Sequence, residues 1–195
     1  MKRFFLTLCV FLSAALYAAE PVVIEGVENS YRICEELYRS AQPEREGFTA
    51  LQKLGVRSVL NLREYHKDTR KARHTQLHLM AYPVAAGEVT AADVENCLAL
   101  IKGAPKPVLV HCWHGSDRTG IVVAAYRIVF QKWSVEEAEK EFRDERFGYH
   151  EFWYANLLEL LRTTDWDAMR SRLKAGRGFL AAFSWDAPCR LWFRD

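Results

Sequence analysis

The chain is predicted to be a single α/β domain with a central, mostly parallel, twisted sheet and helices on both faces. Three observations predict it. Short apolar, β-branched runs alternate along the chain with segments whose apolar residues recur at helical spacing. Strand and helix in alternation imply parallel pairing through right-handed crossovers. The length of 195 residues, half of them hydrophobic and 27% charged, suits one well-filled core and neither a disordered nor a fibrous chain.

The elements follow in order. Glu36 to Ser40 reads as a short strand ending in the Ala41-Gln42-Pro43 turn, and helix signals run from Glu44 to Leu54, where Gly55 stops them. Val56 to Leu62 is strongly strand-like, with Arg63 at its carboxyl end. The charged stretch from Glu64 to Arg73 is a loop or a solvated helix, and Leu77 to Val84 is the next strand. A helix opens at Thr90 or Ala91 and reaches about Lys102, carrying Val94, Cys97, Leu98 and Ile101 on one face. Lys106-Pro107 leads into the strand Val108 to Val110, and Ile121 to Gln131 is an apolar, buried helix. Ser134 and Glu137 form a capping box for a helix to about Arg146. After Phe147-Gly148-Tyr149-His150, two more helices span Phe152 to Leu161 and Asp165 to Lys174.

The two ends have their own character. Lys2 and Arg3 precede an uncharged apolar run from Phe4 to Leu16, then Tyr17-Ala18-Ala19 and Glu20-Pro21. That is the pattern of a secretory signal peptide over residues 1–19, too short for a comfortable membrane span. It places the mature chain in the periplasm or outside the cell, with a domain over 20–175 and a tail over 176–195. Leu8 precedes Cys9, where a lipoprotein signal wants a small residue. Removal of the segment leaves 25 basic and 25 acidic side chains. With no net basic field, nucleic acid and anionic lipid lose their simplest attraction. We expect a monomer with no stable membrane insertion after cleavage. Cys34, Cys97, Cys112 and Cys189 remain, without paired CxxC spacing or any metal-ligand pattern. Cys97 reads as a core thiol, which leaves Cys34–Cys189 as the one disulfide pairing to consider.

Chemistry concentrates in one stretch, Val108-Leu109-Val110-His111-Cys112-Trp113-His114-Gly115-Ser116-Asp117-Arg118-Thr119-Gly120-Ile121. A strand delivers a cysteine to a tight turn, and a helix opens beyond Arg118. Turn amides, a helix N-terminus and a guanidinium fork make a phosphate cradle. Cys112 would attack phosphorus, and Arg118 would hold two equatorial oxygens. Trp113, His114, Gly115, Ser116, Asp117, Arg118 and Thr119 would surround the phosphoryl group. A free thiol titrates near about 8.5, but helix N-termini and cations lower it to roughly 3.5–7.5, so the thiolate needs no paired base. His111 would hydrogen-bond backbone around the loop, Thr119 would offer its hydroxyl to the sulfur, and Gly115 and Gly120 would allow tight turning or close approach.

The spacing HCxxGxxRTG resembles the signature of the cysteine-dependent protein tyrosine and dual-specificity phosphatases. Tyr38-Arg39-Ser40-Ala41-Gln42-Pro43, Gly55 to Arg63 and Phe147-Gly148-Tyr149-His150 resemble the bacterial members, so the likeness covers roughly Tyr38 to Leu161. It implies a phosphatase-type fold, hydrolysis of phosphomonoesters on a phosphorylated protein or small molecule through a phosphocysteine, and no cofactor or metal. Arg39 and Arg63 then stand either at the site mouth or as surface arginines. The family carries an acid on a loop before the cysteine, and this chain departs from that pattern. Glu88 is the sole acid in Tyr82 to Thr90. Asp117 is the alternative, since Cys-x-x-Gly-x-Asp-Arg is similar to the myotubularin lipid-phosphatase loop. Both stay open as the general acid. Open too are a phosphoinositide or inositol-phosphate phosphatase, a phosphate-ester-binding module of weak catalysis, and a sulfur transferase, which the Arg-Thr-Gly ending disfavours.

Overall fold

The computed structural model describes residues 18–176. The expected signal segment, the tail and Cys189 therefore lie outside the described residues, apart from the junctions at Ala18-Ala19 and Gly176. Six strands form one sheet: β1 (Glu20–Pro21), β2 (Tyr31–Cys34), β3 (Leu37–Ser40), β4 (Ser58–Asn61), β5 (His78–Ala81) and β6 (Val108–His111), in the order β1-β2-β3-β6-β4-β5. β3, β6, β4 and β5 run parallel, as the alternation predicts. The first two strands were not foreseen. They extend the sheet antiparallel through a tight link, and their short, mixed sequences carry little periodicity.

Side chains alternate across the strands, so each strand feeds two cores. Leu37, Leu60, Val108 and Val110 face one side, while Val59 and Leu109 face the other. The second side is covered by α1 (Arg45–Lys53), whose Phe48 and Leu51 are fully buried. Each such side chain contributes roughly 1.5–3 kcal/mol on leaving water. The first side carries α2 (Ala91–Gly103), α3 (Asp117–Gln131), α4 (Val135–Phe142), α5 (Ala155–Thr163) and α6 (Trp166–Lys174).

α3 is the central pillar, buried almost throughout and packed against α2, α4, α5 and α6. It begins at Asp117, four residues before the expected Ile121, so Arg118 and Thr119 ride on its first turn. Gly120 is required there: a Cβ would meet the Phe142 ring at 2.3–2.6 Å. α2 opens with a capping box between Thr90 and Asp93, and α4 with the expected one between Ser134 and Glu137. α4 ends at Phe142, short of the expected Arg146. Asp144 caps a separate turn, Glu145–Phe147, by accepting from the Arg146 amide. α5 likewise begins at Ala155 rather than Phe152. That rerouting brings His150 back to the first turn of α3.

Register decides where the site lies. Ser40 and Asn61 both pair with His111, and Asn61 pairs with Ala81. The carboxyl ends of four parallel strands thus finish level, and the loops leaving them share one edge, where ligands of open α/β sheets bind.

Candidate active site

Cys112 leaves β6 directly into this edge, and the loop from Cys112 to Ser116 connects to α3. The loop is held by its carbonyls. The Gln42 amide donates to Trp113 O at 3.0 Å, Asn29 Nδ2 to His114 O at 2.8 Å, and Arg39 Nη2 to Gly115 O at 2.7 Å. Among the described residues no amide from Trp113 to Thr119 donates to a protein acceptor. A row of unspent N–H groups at a helix N-terminus is an anion cradle. Gly115, Ser116 and Thr119 are buried, so they serve it through backbone rather than by lining the cleft with side chains. Thr119 Oγ1 is buried without a partner among the described residues.

A cleft of about 590 Å³ opens over the loop, lined by Cys112, Arg118 and Asp117 together with Arg63, Trp113, His114 and His150. Cys112 is 2% exposed at its floor. Arg118 is pinned across the edge by Nη1 donating to Val84 O at 3.2 Å and Leu62 O at 3.4 Å, in the loops after β5 and β4. Trp113 and His114 form the rim, with Tyr65, Trp153 and Tyr154 completing an aromatic wall.

The two candidate acids separate. Glu88 is exposed in the turn Ala86–Glu88 and does not line the cleft, where Ala86 stands instead. Asp117 lines it, but as an acceptor: its carboxylate takes the His150 backbone N–H at 2.9 Å and faces His150 Nδ1 at 3.0 Å. A carboxylate beside the cradle would repel a phosphate dianion, and Asp117 is instead turned onto His150.

Behind the loop lies a polar network in which Asp68 and Gln42 are the members that the sequence did not reveal as site residues. His111 is fully buried, with Nδ1 3.2 Å from Cys112 O and Nε2 2.8 Å from Asp68 Oδ2. Asp68 also accepts from Gln42 Nε2 at 3.0 Å, and Gln42 Oε1 accepts from Arg63 Nη1 at 2.7 Å. Burial pushes the Asp68 carboxyl up, yet the His111 hydrogen bond and charge, with Gln42 and Arg63, outweigh it and hold it below its ordinary range. Arg63 lines the cleft and stacks 3.9 Å over Trp113, with Nη2 unpartnered among the described residues, so the site-mouth reading holds for it. Its guanidinium is lowered by burial, a shift opposed by Asp68, reinforced by Arg118 and opposed again by Cys112. Arg39 is not at the mouth. It lies fully buried beneath the loop against Phe147, where burial lowers it to about 10 against the raising charges of Glu141 and Cys112.

The sequence offered no metal-ligand spacing, but the fold assembles one such group among the described residues: ligand atoms of His114, Asp117 and His150 lie within 4.8 Å of one another. Cys97 is buried in α2 as expected, and Cys34 Sγ sits 3.6 Å from the Tyr126 hydroxyl.

Comparison with known proteins agrees with this geometry. The model of the tyrosine phosphatase family matches residues 27–162. Dual specificity protein phosphatase TpbA of Pseudomonas aeruginosa is 35% identical over 150 residues, covering 70% of this chain and 67% of TpbA. Inositol diphosphatase SIW14 of Saccharomyces cerevisiae is 27% identical over 132 residues, covering 63% of this chain and 46% of that protein. The crystal structure of TpbA in complex with pTyr superposes with a TM-score of 0.74 at 30% identity, covering 83% of this chain and 99% of the other.

Proposed function

The chain belongs to the tyrosine phosphatase family, and from that premise we propose that it hydrolyses phosphomonoesters, phosphotyrosine foremost, through a phosphocysteine on Cys112. One observation carries the reading: Cys112 lies at the floor of an aromatic-walled cleft whose loop amides are unspent and whose Arg118 is pinned in place. In-line attack by the Cys112 sulfur forms the S–P bond as the P–O bond of the ester breaks. Equatorial oxygens are held by the loop amides and the Arg118 fork, whose donors match the charge spreading over them. Attack of water on phosphorus then releases phosphate and returns the thiolate, which the unpartnered Thr119 hydroxyl is suited to stabilise. The cycle draws on no cofactor.

The aromatic wall of Tyr65, Trp113, Trp153 and Tyr154 favours an aryl phosphate over a sugar phosphate. The likeness to SIW14 supports a second reading, an inositol-phosphate substrate, for which Arg63 with its unpartnered Nη2 is the extra cation. Export to the periplasm or beyond is proposed on Lys2-Arg3 and the apolar run that follows, and N-terminal sequencing of the native protein tests it by finding a start near Ala19 or Glu20.

The test of the chemistry is turnover of phosphotyrosine peptide and inositol phosphates by purified protein, with Cys112→Ser and Arg118→Lys alongside. Cys112→Ser should abolish turnover and leave vanadate binding measurable. Arg118→Lys should be severe, because a point charge cannot replace a bidentate fork. Substantial activity in Cys112→Ser would remove the nucleophile.

A further inference from the structure

We propose that His150 is the general acid of this phosphatase, with Asp117 as the residue that orients it. The inference rests on the Cys112 nucleophile above and adds the proton donor that neither Glu88 nor Asp117 supplies by position. A phenolate leaving group of ordinary basicity must be protonated as the P–O bond breaks, so some group on the cleft wall has to hold a proton there. Glu88 does not line the cleft, and Asp117 accepts two hydrogen bonds from His150.

The geometry selects His150 from the three histidines on the cleft wall. His66 is tied through Nδ1 to the Glu64 carbonyl at 2.9 Å on an exposed loop. His114 has ring contacts with Trp113 and His150 but no side-chain hydrogen bond to orient it among the described residues. His150 is held twice by one carboxylate, at its backbone N–H and at Nδ1, and its side chain is still 43% exposed. With Nδ1 engaged on Asp117, Nε2 is the nitrogen left to serve the cleft. A carboxylate on Nδ1 fixes the tautomer and stabilises the imidazolium before it gives up its proton.

The step balances. As Cys112 Sγ bonds to phosphorus, the electron pair of the breaking P–O bond goes to the leaving oxygen, which takes the proton from His150 Nε2. Neutral His150, still donating from Nδ1 to Asp117, then accepts the proton of the water that attacks the phosphocysteine. The S–P bond breaks, sulfur leaves as thiolate, and imidazolium is restored.

The test compares phosphotyrosine with 4-nitrophenyl phosphate, whose leaving group needs little protonation. His150→Asn and His150→Gln should lose kcat on phosphotyrosine by ~10²–10³-fold, with a much smaller loss on 4-nitrophenyl phosphate. Asp117→Asn should show the same substrate-dependent pattern more weakly. Thermal unfolding of each variant identifies any that fail to fold, and the two His150 replacements guard against one doing so. Equal losses on both substrates would overturn the acid and assign His150 a structural role. So would the substrate-dependent loss appearing in His114→Asn instead. Wild-type activity that disappears with EDTA and returns with zinc would overturn it in favour of a metal held by His114, Asp117 and His150. Activity surviving in Cys112→Ser would instead remove the nucleophile on which the inference stands.

Discussion

Replacing Gly115 by alanine places one methyl group at the point where the cysteine loop touches the rest of the sheet. Gly115 has φ +76°, a left-handed conformation that costs a residue bearing Cβ about 1–2 kcal/mol. The new Cβ would meet Ser40 C at 2.5 Å and Ala41 N and Ser40 O at 2.6 Å, all backbone at the end of β3. No side chain can rotate away, so loop and strand must part by about 0.9 Å to bring the closest contact to an ordinary 3.4 Å. Forced overpacking of this kind costs about 1–3 kcal/mol. The same shift lengthens the 2.7 Å bond from buried Arg39 to Gly115 O, where a hydrogen bond to a charged group is worth about 1.5–3 kcal/mol. These effects overlap, and a total near 4 kcal/mol is expected, which lowers Tm by roughly 8–16 °C in a domain of this size. Displacing the cradle by most of an ångström should cost about 10²-fold in kcat/KM. Gly55→Ala is the control: φ +95° but nothing within 4 Å, hence strain alone, with activity retained. Tm by circular dichroism and turnover of 4-nitrophenyl phosphate decide it. Indistinguishable Tm and kcat/KM in the two variants would refute the close-approach argument.

Two further outcomes follow from buried groups. Asp68 is held below its ordinary range, so it contributes stability that is full above the unfolded value near about 4 and lost as pH falls through the lower folded value. Urea midpoints should therefore drop from pH 5 toward pH 2 less steeply in Asp68→Asn than in wild type, and at pH 7 the variant should be less stable by about 1–3 kcal/mol through its weakened bond to His111. A parallel acid limb in the two proteins would remove Asp68 from the stability profile. Burial, with a smaller push from Asp93, raises the Cys97 thiol far above its ordinary value. Iodoacetamide at neutral pH should leave Cys97 unmodified in the native protein and modify it in urea, as read by peptide mass; rapid native labelling would contradict its burial.

What this sequence determined by itself is whatever depends on neighbours along the chain. The alternation of strand and helix runs specified a parallel sheet covered on both faces, because side-chain periodicity is a local property. The cradle was legible because Cys112 to Thr119 is contiguous, and a strand-to-helix turn of that length has few ways to arrange its amides. The capping box at Ser134 is likewise written within four residues. Tertiary structure decided the rest. β1 and β2 are too short to show a period and are strands because β3 offers an edge to β2 and β2 offers one to β1. Asp68 meets His111 across 43 residues, and Asp117 meets His150 across 33. Glu88 is close to the motif region in sequence yet stays outside the cleft, since the turn Ala86–Glu88 presents Ala86 there instead. A carboxylate's role depends on what it faces, and facing is set by strand register and by where α4 stops, neither of which a local pattern of residues encodes.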